Sequence, residues 1–373
     1  MKQNWQIKKL GEVCEIKDSQ RKPITANKRV QGEYPYYGAT GILDYVEGYL
    51  FDEDLVLLGE DGAKWGPGDN SAFMISGKTW VNNHAHVLKP HNKIDSQWLI
   101  NYLNYSDLTK FIKGATVPKL NQENMRNISI PVPPLAEQRR IVAILDAKFV
   151  QIDALKAAAQ KNLDNAEQLW KAQLEKEFGN KEWKMMKLGE VCEITSKLVN
   201  PTEPQYLNLY HVGGANIEAE TGVIIDLKTS KEEGLSSGKF TFDNTMVLYN
   251  KIRPYLKKVA RPTFSGLCSA DMYPLYPNKN ITKDFLFYVL MSDSFTDYAI
   301  KHSGRAGMPK VNRETLFAYN VAIPSLAEQT AIVSRLDALS AQISELKTKY
   351  RRQIECCDEL RQSLLREAFE GEM

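Results

Sequence analysis

No run of eighteen consecutive apolar residues occurs in this chain of 373 residues, so the length of apolar helix needed to cross a bilayer is missing. The opening MKQNWQIKKL also lacks the apolar core of a secretory leader. The expectation is a soluble, cytoplasmic protein with no membrane partner. Cysteine is scarce: five residues, odd in number, with no CxxC spacing. That excludes a disulfide framework and a structural zinc site of the usual kind. Charge of one sign is nearly absent, since 48 basic residues face 46 acidic ones and the net charge is +2. A small free-standing DNA binder is normally far more basic, because phosphate neutralisation supplies most non-specific affinity. Composition alone therefore does not point to nucleic acid, and any DNA binding would leave part of the phosphate contact to a partner. Catalytic signatures are missing as well. There is no [DN]PP[YFW] methyltransferase motif, no glycine-rich cofactor fingerprint, no Walker sequence and no nuclease triad. The chain is expected to bind no cofactor and no metal, and not to be an enzyme. Disorder is not expected, with 43% hydrophobic and 10% aromatic residues available to build cores.

What the sequence does have is internal repetition. Residues 9–16 read KLGEVCEI and residues 187–194 read KLGEVCEI again, with Trp5 and Trp183 at the same spacing. A second pair of repeats comes later: Leu135-Ala136-Glu137-Gln138 with Ile141-Val142 and Leu145-Asp146-Ala147 matches Leu326-Ala327-Glu328-Gln329 with Ile332-Val333 and Leu336-Asp337-Ala338. Pro118-Lys119 with Asn121 matches Pro309-Lys310 with Asn312. Each half thus opens alike and closes alike, while the stretches between differ. Drift after a duplication would not readily leave eight identical residues beside unrelated sequence. A constant frame with variable contents suits a frame that builds architecture and contents that carry recognition.

After each AEQ the pattern becomes helical for about forty residues. The prolines at 133, 134 and 324 end what precedes and suit a helix start. The apolar line of the first segment runs Leu145, Phe149, Ile152, Leu155, Ala159, Leu163, Ala166, Trp170 and Leu174. That of the second runs Ile332, Leu336, Leu339, Ile343, Leu346, Tyr350, Ile354, Cys357, Leu360 and Leu364. Steps of three and four alternate, as in a coiled-coil seam. Gly179 and Gly371 are expected to cap the ends. Stripes this long suit packing on each other, antiparallel, with Cys356-Cys357 on the seam.

The remaining segments read differently. Residues 1–132 and 183–324 offer short β-branched and aromatic runs punctuated by glycine, at 34–38, 41–46, 54–59, 84–88, 222–225, 245–249 and 272–276. Each half then carries one amphipathic helix, over 96–112 and 283–301. The fold class expected is α+β: two globular domains of mainly antiparallel sheet plus helices, joined by two long helices. The boundaries expected are 1–132, 133–182, 183–324 and 325–373. The first globular half has 16 basic and 15 acidic residues and the second 17 and 14, so both are weakly basic.

This arrangement, carried by KLGEVCEI twice, PPLAEQRRIVAILDA, SLAEQTAIVSRLDA and the closing LLREAFEGEM, resembles the specificity subunit of type I restriction–modification systems over essentially the whole chain. The stretches GATGILDYV, LLGEDGAKW, VNNHAHVL, NKIRPYLKKV and CSADMYPLYP are similar to sequences of that family's target-recognition domains. The resemblance implies two target-recognition domains on an antiparallel coiled coil that read a bipartite, asymmetric site in double-stranded DNA. It implies two methyltransferase (modification) subunits as partners, with restriction and translocase subunits joining the complex.

Within the variable stretches, the loop 59–66 (GEDGAKWG) is no phosphate loop, because no GK[ST] closes it. Two readings stand level: Lys64 and Trp65 meeting phosphate and sugar while Glu60 or Asp61 accepts from a cytosine amino group, or a turn with solvated charges. The resemblance favours the first. His84 and His86 alternate on one strand face. A structural role ranks first for them and DNA contact second, since no third ligand for zinc is apparent. Residues 251–258 form the densest basic cluster, in which Arg253 is placed to read guanine, Lys251, Lys257 and Lys258 to bind phosphate, and Tyr255 to shape the loop. Lys119 and Lys310 recur at equal positions with Asn121 and Asn312, which suits backbone contact or helix capping. Lys78 and Arg305 complete the candidate DNA contacts. The competing readings are an adaptor serving a methyltransferase alone and a coiled-coil scaffold whose globular halves bind proteins.

Overall fold

The computed structural model describes residues 5–114, 116–179, 182–304, 307, 309–370 and 372–373. Among them no helix is long and apolar enough to cross a membrane. The chain divides into two compact units, residues 1–160 with 351–373, and residues 161–350. Each holds one globular half and part of both long helices.

In the first unit, strands Cys14–Ile16, Ala85–Pro90, Leu55–Gly59 and Ala72–Ile75 lie side by side in that order, all antiparallel. Every residue of Leu55–Gly59 is buried, which accounts for a continuous apolar run rather than an alternating one. A second sheet orders Gly41–Val46, Gln31–Gly38, Lys78–Val81 and Phe51–Asp52, with one parallel pairing between Gln31–Gly38 and Lys78–Val81. In the second unit, Cys192–Glu193, Met272–Pro277, Val247–Asn250 and Val259–Ala260 repeat the first arrangement. A five-stranded sheet of Leu198–Val199, Lys239–Phe242, Gly266–Cys268, Tyr210–Val212 and Lys228–Thr229 stands beside it.

The repeated motifs turn out to be joints. Strand Gln6–Lys9 pairs with Ser129–Val132, and Lys184–Lys187 with Asn320–Ile323, so each KLGEV follows a strand that closes its globular half. Leu10 N donates to Ile128 O and Leu188 N to Tyr319 O, both at 2.8 Å. Glu12 accepts from Lys9 N (2.8 Å) and Glu190 from Lys187 N (2.7 Å). A Cβ on Gly11 would lie 3.2 Å from Arg126 Cβ, and one on Gly189 would lie 3.0 Å from Phe317 Cβ, so in both copies a larger residue would have to push its neighbour back by a few tenths of an ångström.

The second repeat is a clamp. Gln138 and Gln329 are fully buried. Gln138 Oε1 accepts from Asp95 N (2.9 Å) while its Nε2 donates to Lys93 O (3.0 Å) and Pro133 O (2.8 Å). Gln329 does the same with Thr282 N, Asn280 O and Pro324 O at 2.8, 2.8 and 3.1 Å. Asp95 and Thr282 are themselves the N-caps of helices Ser96–Tyr105 and Lys283–Met291. Each glutamine thereby ties the start of a long helix to the start of a covering helix.

The long helices run Leu135–Phe178 and Leu326–Glu370. Within the first unit, Lys156 meets Asp358 (2.6 Å) and Asp153 meets Arg361 (2.7 Å). Within the second, Glu167 meets Lys347 (2.9 Å) and Glu177 meets Arg335 (2.6 Å). Numbers rise on one helix as they fall on the other, so the pairing is antiparallel. Leu145, Phe149, Ile152, Leu336, Ile343 and Cys357 are buried, while Leu163, Trp170, Tyr350, Ile354 and Leu364 are half-buried. Leu155, Leu346 and Leu360 are exposed instead. A straight helix has 3.6 residues per turn, so a step of three from Ile152 or Ile343 falls about 60° short of a full turn and lands on the solvent flank. Leu365, Ala368 and Phe369 are buried at the end of the second helix, and of the cysteine pair only Cys357 is buried. Gly179 follows the first helix without a positive φ; Gly371 lies outside the described residues.

Three elements differ from the sequence expectation. Helix 96–112 is Ser96–Tyr105 followed by a 3-10 turn at Thr109–Phe111, because Ser106 turns extended and its Oγ bonds back to Tyr102 O. Helix 283–301 is Lys283–Met291 and Asp293–Lys301, broken at Ser292, which is extended and caps the second piece. The run 222–225 forms only an isolated bridge between Ile217 and Ile224, with positive φ at Gly222 within it and at Glu220 and Asp226 on either side.

Candidate nucleic-acid interface

The loops leaving the central strand of each unit share one backbone scaffold. After Leu55–Gly59, Glu60 N donates to His84 O (2.8 Å) and Glu60 O accepts from Leu120 N (2.8 Å). After Val247–Asn250, Lys251 N donates to Asp271 O (3.1 Å) and Lys251 O accepts from Val311 N (2.9 Å). Asp61 bridges to Lys119 and Ile252 to Lys310. His84 N donates to Asn82 Oδ1 (2.8 Å), and Asp271 N to Ser269 Oγ (3.2 Å). Beneath them His86 Nε2 donates to Leu120 O (2.7 Å) and Tyr273 OH to Val311 O (3.3 Å). Asn121 and Asn312 cap the short helices Gln122–Arg126 and Arg313–Phe317, so these asparagines serve the scaffold.

On this common scaffold the side chains differ. In the first unit a buried network lies under the loops. His86 Nδ1 is 2.6 Å from Asp18 Oδ2, and Asp18 Oδ1 accepts from Val87 N (2.8 Å). Arg21 reaches Glu60 at 2.5 Å and Asp18 at 3.4 Å, and Lys119 reaches Glu60 at 2.8 Å. Burial works to raise both carboxyls, but the His86 contact with Asp18 and the Lys119 and Arg21 contacts with Glu60 outweigh it, and both sit below the usual carboxylate range. Asp18, Glu60 and His86 bring three ligand-type atoms within 4.8 Å of one another, a grouping around His86 that spacing alone did not reveal. Arg21 and Lys119 already supply positive charge to these carboxylates, and both His86 nitrogens face acceptors. The donor set is that of an ion-pair network rather than of a metal centre.

In the second unit the node is Lys251, which occupies the place of Glu60. Its Nζ meets Ala270 O (2.5 Å), lies 3.6 Å from Asp271 and stands 5.0 Å from the centroid of the Tyr273 ring. Burial and the neighbouring Lys310 pull its pKa down against Asp271. Lys310 lies 3.4 Å from Asp271. Beyond the node, Arg253 and Lys257 hold left-handed backbone, φ 53° and 45°, on either side of the turn Pro254–Leu256. Non-glycine residues adopt that region at a cost of about 1–2 kcal/mol each. Arg253 N, bonded to Pro309 O at 2.9 Å, helps to hold the turn.

The model of the type I restriction modification DNA specificity domain matches this chain twice, over residues 2–164 and 180–356. The chain belongs to that family. It is 29% identical over 407 residues to the EcoDI specificity subunit of Escherichia coli, covering 99% of this chain and 89% of the relative. It is 24% identical to the MjaVIII specificity subunit of Methanocaldococcus jannaschii, covering 95% and 90%. Two solved structures share the fold, each at 18% identity: a chain from work on complex assembly and conformational transition of the type I system (TM-score 0.73, covering 100% and 99%) and the HsdS subunit of Thermoanaerobacter tengcongensis (TM-score 0.54, covering 100% and 98%).

In this member of the specificity family the candidate contacts sort by exposure. Trp65 is buried in the core and its indole N–H donates to Gly59 O (2.9 Å). Glu60 and His86 are buried in the network. These three are withdrawn from solvent and support the loops from beneath. Lys257 is ion-paired with Asp293, and Lys258 donates to Gly214 O (2.5 Å), so the densest basic run spends two of its lysines internally. Lys64, Arg253 and Tyr255 are exposed; Lys119 and Lys310 are part-exposed beside the nodes. His84 is half exposed and paired through Nδ1 with Asp61. It precedes strand Ala85–Pro90 rather than sharing a face with His86. Lys78 lies apart on the second sheet, its Nζ 4.9 Å from the Tyr49 ring centroid. Arg305 lies outside the described residues. Sequence reasoning missed Arg21, the hub of the first network, Asp271, the acid between Lys251 and Lys310, and Arg313, which stands over the Phe240 and Tyr273 rings. No local motif marks them; only the alignment of the two halves through the scaffold bonds brings Asp271 level with His84.

Proposed function

We propose that this chain is the non-catalytic DNA-sequence-specificity subunit of a type I restriction–modification complex, acting in the cytoplasm. Residues 1–132 and 183–324 are its target-recognition domains, each reading one half of a bipartite, asymmetric site in double-stranded DNA. The long helices, 133–182 and 325–373, hold two methyltransferase subunits, which supply the S-adenosylmethionine chemistry and part of the phosphate contact. Restriction and translocase subunits join that assembly. The observation that carries the reading is the pairing of one backbone scaffold with two sets of side chains: shared geometry aims both loops alike, and different chemistry reads different bases. The names of the relatives support it, all being specificity subunits of such enzymes.

The test is methylome sequencing of a host expressing this chain with its methyltransferase, beside gel shifts of random duplexes with and without that partner. A two-part, non-palindromic methylated motif is expected, with tight binding only in the complex. A continuous or palindromic motif, or methylation by the chain alone, would overturn the reading.

A further inference from the structure

We propose that His84 and Asp271, at equivalent points of the two scaffolds, are the specificity-determining residues of their units, each contacting a base edge in its own half-site; this rests on the function proposed above. Four observations converge. Both residues stand in the turn before the strands Ala85–Pro90 and Met272–Pro277. Both have their carbonyls bound by the node residue, Glu60 or Lys251, and their N–H groups bound by the side chain two positions earlier, Asn82 or Ser269. Their backbones are therefore fixed. Their side chains are half exposed, 50% and 49%, unlike the buried residues beneath them. The two side chains differ completely in chemistry while the residues that hold them do not change place. A fixed, half-exposed position whose side chain varies is where recognition belongs, since phosphate contacts position and base contacts specify.

The chemistry constrains the bases. The Asp271 carboxylate only accepts hydrogen bonds, and in the major groove it pairs with an exocyclic amino group, that of cytosine or adenine. Lys251 at 3.6 Å and Lys310 at 3.4 Å hold it in place and offset its charge near phosphate. His84 gives its Nδ1 to Asp61, which leaves Nε2 for the base. Lys119 and Lys310 beside the two residues are part-exposed cations suited to backbone phosphate.

The experiment uses the complete methyltransferase complex, in the host and as purified protein. Methylome sequencing and competition binding on duplexes with single-base changes are run for the wild type, Asp271→Asn, His84→Asn and Lys119→Ala. Asp271→Asn should lower discrimination at one cytosine or adenine position of a single half-site by about ten- to a hundredfold, leaving the other half-site intact. His84→Asn should relax one position in the opposite half. Lys119→Ala, which also uncovers Glu60 in the buried network, should weaken binding to every sequence evenly and lower the stability of the first unit without changing the motif. The proposal is overturned if Asp271→Asn and His84→Asn keep the wild-type motif at full stringency, if either changes both halves, or if either destroys the folded complex, which would make the residue structural. A wild-type motif that is not bipartite sinks the proposed function itself, a separate result.

Discussion

Two carboxylates buried side by side repel each other unless cations lie against both, and in the first unit Arg21 touches Asp18 and Glu60 together. The arrangement joins the 3-10 turn at Asp18–Gln20, the loop after Leu55–Gly59 and strand Ala85–Pro90 into one body. Removing one member of a buried charged group leaves its partners desolvated and uncompensated. Arg21→Met is expected to destabilise the first unit by roughly 3–5 kcal/mol, read as an earlier transition in chemical denaturation. The pH dependence follows from the same group. Asp18 and Glu60 are held below their ordinary values in the folded chain, so the folded state binds fewer protons than the unfolded one in the carboxylate range. Their stabilisation is complete above about pH 5 and is lost as pH falls through the lowered folded values, below about pH 4. The stability gap between wild type and Asp18→Asn should therefore be widest near neutrality and close on acidification. A gap that stays constant down to pH 3 would remove Asp18 from the network. The structural role ranked first for His86 fits its place here, but the network itself was not legible in the sequence, because Asp18, Arg21, Glu60, His86 and Lys119 are scattered over a hundred residues and only the sheet order gathers them.

At the scale of elements, seven-residue spacing decides which apolar side chains stay covered. Leu336, Ile343, Tyr350, Cys357 and Leu364 lie seven apart, and each is buried or half-buried. Leu346, three residues past Ile343, is exposed. Leu336→Ala should cost about 3 kcal/mol through lost burial and a residual cavity, whereas Leu346→Ala should change stability by less than about 0.5 kcal/mol. Equal losses at the two positions in thermal unfolding would contradict the packing described. The long helices, their starts and most strands were legible because periodicity, proline punctuation and runs such as Leu55–Gly59 are local signals. The breaks at Ser106 and Ser292 were not, since a serine that leaves a helix to bond backbone looks in sequence like one that continues it. The strand expected at 222–225 failed because an apolar run cannot announce the positive φ of Glu220 and Asp226 on either side. The role of Gln138 and Gln329 also escaped the pattern: repetition flagged them, but a buried amide bonding three backbone groups shows only in three dimensions.

For the whole molecule, the division between constant and variable sequence coincides with a division of labour. What repeats is joinery: the KLGEV turns, the glutamine clamps, and the asparagine caps at 121 and 312. What differs is carried on that joinery, Glu60 against Lys251, His84 against Asp271 and the loop 59–66 against 250–258. If recognition is modular in this sense, residues 183–324 should be exchangeable for those of another family member without disturbing the first unit, provided the chain is cut at the joints. The strand Lys184–Lys187 and its partner Asn320–Ile323 lie inside the exchanged segment, so the pairing that closes the globular half travels intact. Gln329 stays with the helix and needs only the backbone of the incoming segment at its contacts corresponding to Asn280 and Thr282. The hybrid is expected to assemble with the same methyltransferase and to methylate a site in which one half is that of the donor and the other is unchanged. Methylome sequencing of the hybrid reads both halves at once. A hybrid that folds and assembles but changes both halves together, or changes neither, would show that the two units do not read DNA independently.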